Sequence, residues 1–184
     1  MNNNFIALIL ILLVTVSCTQ SPDLNLISKQ HIGLLTDSTQ VKDLEMIFPN
    51  DSIVKFIGGD EFTGAINDIE VFDKNKNKIL ILTPKESLDS TSTIKTIKVV
   101  DERFKTKAGL NSKSTFKHIK DSYKISSIQN ALRNIIVSVN EINAFFVIEK
   151  SELPAELRFD MNLQIDAIQI PDEAKIKGFY LQWF

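Results

Sequence analysis

Only one cysteine occurs among the 184 residues, so no disulfide can close within the chain. Histidine is nearly as scarce. His31 and His118 stand apart, with no His, Cys or carboxylate at ligand spacing beside either, which argues against a metal centre and leaves each as an ordinary surface or half-buried side chain. Neither sign of charge dominates: 21 Lys and Arg face 23 Asp and Glu, a net charge of -2, so no global basic field exists to draw in nucleic acid, and nucleic acid is not an expected partner. The lysines are dispersed along strands and turns and read as a solvated surface. No apolar run reaches the roughly 20 residues that a membrane-crossing helix needs. What is present, 43% hydrophobic and 24% charged residues, suits one globular domain or two small fused halves with a sizeable core.

The position of the lone thiol is informative. Phe5 to Val16 reads FIALILILLVTV, with no charged residue before Asp23, followed by Ser17-Cys18-Thr19. Too short to span a bilayer, the run has the length of a signal-peptide hydrophobic region. The small Ser17 before Cys18 resembles a bacterial lipoprotein signal, and that resemblance implies cleavage before Cys18 and acylation of its thiol. The n-region has no Lys or Arg, and Thr15 stands where such signals usually carry leucine. Two or more acyl chains hold a protein stably in a leaflet. Thr19 lacks the aspartate that resembles an inner-membrane retention signal, which favours the outer membrane, facing the periplasm. The expected organisation is a signal peptide over 1–17, a polar tether over 18–30, and a folded body beyond.

Within that body one layout occurs twice. Gly33 to Phe48 (GLLTDSTQVKDLEMIF) and Gly109 to Tyr123 (GLNSKSTFKHIKDSY) each run from a glycine turn through a Ser-Thr pair into an amphipathic segment. Val41, Leu44 and Phe48 in the first, and Phe116, Ile119 and Tyr123 in the second, fall at helical spacing. The expectation is a helix over about Ser38 to Phe48, capped by Asp37 or Ser38, and another over about Ser114 to Tyr123, capped by Ser114. Strand candidates follow the first at Ser52 to Ile57, Ala65 to Phe72 after the Gly58-Gly59 turn, Lys78 to Leu82 and Ile94 to Val100. The second is followed by Lys124 to Ile128, Asn134 to Val139, Ala144 to Glu149 and Lys175 to Phe184, with a further short strand at Leu163 to Ile170. Lys55, Lys95 and Lys98 punctuate apolar residues, as on a sheet with one wet face. The expected fold is α+β, a tandem duplication of helix plus antiparallel strands with both helices on one sheet face; the repeats would span 31–104 and 105–184 and pack as one unit.

Short motifs across the mature chain resemble the bacterial sigma-E-regulated lipoprotein family of unknown function. The matching pieces are Gly33-Leu34-Leu35-Thr36, Phe48-Pro49, Leu82-Thr83-Pro84 and Gly109 to Phe116; this chain has Ser112-Lys113-Ser114 where the family tends to have glycine-serine. More loosely, the layout is similar to BamE-like lipoproteins and to the tandem repeat of beta-lactamase inhibitory protein, a likeness that implies protein binding.

Three Ser-x-x-Lys sequences invite a catalytic reading: Ser52 with Lys55, Ser92 with Lys95, and Ser114 with Lys117. Only the last lies at an expected helix start, and Ser-Asp-Asn or Lys-Thr-Gly partners are missing. The turn Asp73 to Asn77 mimics the start of a calcium loop but has Lys78 in place of glycine and Pro84 in place of the bidentate glutamate, so it reads as a hairpin turn. The charged cluster of Asp101, Glu102, Arg103 and Lys105 lies at the junction of the halves, where Arg103 and Lys105 are candidate contacts to a partner. The aromatic finish, Phe179 to Phe184, reads as core or covered strand. These features point to a lipid-anchored envelope module that binds or assembles with an envelope protein, without cofactor or catalysis. The alternatives are a serine hydrolase using Ser114 and Lys117, and a carrier of a small apolar ligand.

Overall fold

The computed structural model describes residues 23–55 and 67–184; the signal segment, Cys18 and the Gly58-Gly59 turn lie outside the described residues. Its centre is an eight-stranded sheet. The first half contributes β4 (Ser52–Lys55), β5 (Ile69–Phe72), β6 (Lys78–Pro84) and β7 (Ile94–Val99), and the second contributes β9 (Ser127–Asn130), β10 (Asn134–Val139), β11 (Ala144–Glu149) and β12 (Ile176–Gln182). They lie in the order β4-β5-β6-β7-β12-β11-β10-β9, every neighbouring pair antiparallel, so the last strand of each half meets its counterpart at the middle. A smaller sheet, β3-β2-β1-β8, is built from two-residue strands: β1 (Leu26–Ile27), β2 (His31–Ile32), β3 (Leu35–Thr36) and β8 (Lys105–Thr106).

Alternation along the strands, broken at bulges in β6 and β12, decides which face is covered. Leu80, Leu82, Ile97, Val137, Phe146, Phe179 and Leu181 share one side and are wholly buried, in a single core with Ile27, Ile32 and Leu35 of the small sheet. Intervening residues form an open face. One row crosses it from Val54 through Glu70, Ile81, Lys98, Tyr180, Phe145 and Ser138 to Ser127, each residue in direct register with the next.

The α+β expectation is overturned: the body is sheet-dominated, with twelve strands in two sheets among the described residues and helix reduced to short pieces. The segment expected as a helix from Ser38 to Phe48 is a 3-10 turn, Val41–Asp43, followed by a single α-turn, Leu44–Ile47. Its amides are not capped by Asp37 or Ser38. Instead the Val41 and Lys42 amides donate to the carbonyls of Ser92 and Ser90, at 3.0 and 2.8 Å, and Gln40 forms a β-bridge with Thr93. The neighbouring chain supplies the partners a cap would have supplied, and holds the backbone extended up to Gln40. The second helix, Phe116–Ser122, runs seven residues.

Part of the segment expected as tether belongs to the folded body. Leu26–Ile27 is strand β1, paired with β2 and β8, and Ile27 is buried. The Trp183 indole N–H donates to the Lys29 carbonyl at 3.1 Å, tying this segment to the chain end. Leu163 to Ile170 forms no strand; it holds a 3-10 turn, Ala167–Gln169, in which the Gln169 side chain accepts the Asp166 amide.

Candidate functional site

Ser114, the candidate nucleophile, sits just before the Phe116–Ser122 helix, whose N-cap is Thr115 rather than Ser114. The Ser114 hydroxyl accepts the Asn111 amide at 3.0 Å and lies 3.0 Å from His118 Nδ1, while His118 Nε2 lies 3.2 Å from the Ala108 carbonyl. An Nε2–H donating to that carbonyl leaves Nδ1 to accept from Ser114, so the hydroxyl locks the 108–118 corner. Lys117 turns away. Its ammonium pairs with Asp121 at 3.1 Å and Asp172 at 3.7 Å, and both carboxylates raise its pKa, Asp121 most. A lysine serving as general base needs the opposite shift. Ser114 and Lys117 therefore form no dyad in this structure.

The junction cluster closes on itself. The Arg103 guanidinium bonds Asp73 at 2.7 Å and Asp101 at 2.9 Å, clamping the β7–β8 connection to the β5–β6 hairpin turn. Asp73 is almost fully buried and accepts the amides of Asn75 and Asn77, each at 2.9 Å. The Asn77 amide first and the Arg103 guanidinium second hold its carboxyl below the ordinary aspartate range. For Asp101 burial pushes upward, but hydrogen bonds from the Arg103 side chain and amide outweigh it, and the net shift is also down. Lys105 lies in β8 with an exposed side chain; its amide donates to the Asn25 carbonyl at 3.0 Å.

A cleft opens where the large sheet is interrupted. Val99, the last residue of β7, pairs with Leu80 and Phe179, but β6 and β12 run on past it to Lys78 and Ile176. The Val100 and Asp101 amides both donate to the Ile79 carbonyl, and the chain turns away there. The resulting notch between β6 and β12 has a volume of about 720 Å³. Lys78, Lys98, Lys113, Lys175 and Lys177 line it, with no carboxylate among the described lining residues, and its half-exposed apolar lining is Ile81 and Val100.

Two β-bulges set two of these lysines. In β6 the register slips so that Val71 opposes Leu80 while Phe72 opposes Lys78, leaving Ile79 unpaired. Without that extra residue Lys78 would share the buried side with Leu80; with it, Lys78 reaches the open face, pairs with Glu70 and lies 5.6 Å over the Phe72 ring. In β12 a like slip between Val147 and Ile148 leaves Lys177 unpaired in the ladder, and its ammonium meets Glu149. Lys98 lies 5.7 Å over the Tyr180 ring. Lys113 and Lys175 are exposed and join no ion pair among the described residues.

No family model matches the chain, and no curated protein matches it in sequence. Its fold is similar to the crystal structure of the uncharacterized protein yfeY from Escherichia coli, at 15% identity and a TM-score of 0.55, over 85% of this chain and 98% of that one. The likeness concerns architecture alone.

Of the residues singled out from sequence, Ser114 and His118 are brought together and Arg103 is joined to Asp73, but Ser114 and Lys117 are kept apart. The lysine cleft has no linear signature. Its five cations come from four separate segments, and two of them face it only because of bulges.

Proposed function

We propose that this protein is a lipid-anchored lipoprotein of the bacterial cell envelope, held by acylated Cys18 in the outer membrane and facing the periplasm, and that it works as a non-catalytic binding module. The lysine-lined cleft carries the binding half of this reading: a concave site with one sign of charge and no carboxylate among its described lining residues suits recognition of an anion. The anchor half rests on the apolar run ending at Ser17-Cys18. Resemblance to sigma-E-regulated lipoproteins supports the same placement, and the engagement of Lys117 with Asp121 and Asp172 disfavours the hydrolase alternative.

Photo-crosslinking in the living envelope, with the reactive residue placed at Thr115 or Tyr180, tests the proposal. The expected result is a discrete adduct that weakens when Lys98, Lys113 and Lys175 are replaced together by alanine. No adduct from either position, with cellular behaviour of the triple variant unchanged, contradicts a binding role for this face.

A further inference from the structure

We infer that the cleft at the end of β7 is a binding site for a phosphate-bearing ligand. The inference rests on the binding-module reading above and names what the module binds.

Five ammonium groups gathered around one notch repel one another, and the protein compensates only part of that charge. Glu70 and Glu149 each neutralise one lysine from outside the cleft, and the Tyr180 ring faces a third. The Lys113 and Lys175 ammonium groups form no ion pair among the described residues, although the Glu152 carboxylate accepts the Lys175 amide at 3.1 Å. An anion in the notch would meet several donors at once, in a concavity whose low-dielectric walls concentrate the field.

The donor type selects the anion. No arginine lines the cleft, so the flat two-pronged geometry that suits a carboxylate is missing. Separate ammonium groups on flexible stems suit a tetrahedral phosphate, which offers oxygens in several directions and up to two negative charges. The Ser112 hydroxyl donates to the Val100 carbonyl at 2.9 Å, so its proton is not offered to the notch and the lysines are the charged donors there. A volume of about 720 Å³ exceeds one phosphate and leaves room for a body attached to it, beside the half-exposed Ile81 and Val100.

Two sources share this chemistry: a phospholipid headgroup and a soluble phosphorylated compound. Calorimetric titration of the full-length chain in detergent, with inorganic pyrophosphate in one arm and short-chain dihexanoyl phosphatidylglycerol in the other, separates them. One saturable site is expected in at least one arm, and that arm identifies the source. The triple variant Lys98→Ala/Lys113→Ala/Lys175→Ala should weaken it by about tenfold or more, whereas Lys85→Ala/Lys107→Ala/Lys124→Ala, which removes equal charge from exposed positions elsewhere, should change it less than about twofold. Equal weakening by both variants, or no saturable binding in either arm, overturns the assignment. If neither probe binds while the cleft-dependent adduct in cells persists, the phosphate assignment alone falls and the module keeps a ligand of another class.

Discussion

The Phe145 and Tyr180 rings lie parallel, centroids 4.7 Å and planes 3° apart, in direct register across β11 and β12. Tyr180 in turn covers Gly178: a Cβ built there would fall 2.5 Å from its Cε2. With Lys98 beyond, the open face carries an ordered aromatic and cationic row beside the cleft, and glycine is what lets the tyrosine lie flat.

A double-mutant cycle with Phe145→Ala and Tyr180→Ala should give a coupling of about 0.5–1.5 kcal/mol in denaturant unfolding. Gly178→Val should abolish most of that coupling by lifting the ring, at a cost of about 1–3 kcal/mol. Coupling that survives in the valine background would show that the stack does not depend on the glycine.

The two glycine turns that look alike in sequence should respond differently to alanine. Gly33 has φ +57 and its Cβ would fall 2.2 Å from the Leu24 carbonyl oxygen; Gly109 has φ +82 with nothing within 4 Å. Gly109→Ala should cost only left-handed strain, about 1 kcal/mol, and Gly33→Ala clearly more, because backbone must move where the turn between β2 and β3 meets the chain entering β1. Thermal melts of the two variants make the comparison, and equal losses would contradict the clash.

Acid should loosen the Asp73–Arg103–Asp101 clamp. Both carboxyls ionise below their ordinary value of 3.8 in the folded protein. The unfolded chain therefore takes up protons first as pH falls, and the stability these groups contribute, complete above 3.8, is lost as pH drops through their folded values. Arg103→Gln should flatten the stability profile between about pH 5 and pH 2. An unchanged slope would place the acid sensitivity elsewhere.

Fluorophosphonate probes should leave Ser114 unlabelled, since its hydroxyl is engaged by Asn111 and His118 and the Lys117 ammonium is held by carboxylates. Ser114→Ala should cost about 1 kcal/mol of stability through the lost corner hydrogen bonds. Stoichiometric labelling that vanishes in the alanine variant would restore the hydrolase reading.

Sequence made some of this fold legible and hid the rest for physical reasons. Asn134 to Val139 and Ala144 to Glu149 are strands over the residues expected, because each is a short run rich in β-branched or aromatic residues bounded by polar ones, the length and composition of a strand. The strands Leu26–Ile27, His31–Ile32, Leu35–Thr36 and Lys105–Thr106 are too short to show any period. Val41, Leu44 and Phe48 fit a helical face, but one short turn satisfies that spacing as well as a longer helix, and the bonds to Ser90 and Ser92 decide between them. Lysines that read as scattered surface charge converge only when β7 stops short of its neighbours.

Metabolic labelling with a clickable palmitate analogue, on wild type and Cys18→Ser in parallel with membrane fractionation, tests the anchored module most directly. The account predicts label on the wild-type protein alone and release of the serine variant from the membrane fraction. An unlabelled wild type, or a serine variant that stays in the membrane fraction to the same extent, would contradict it.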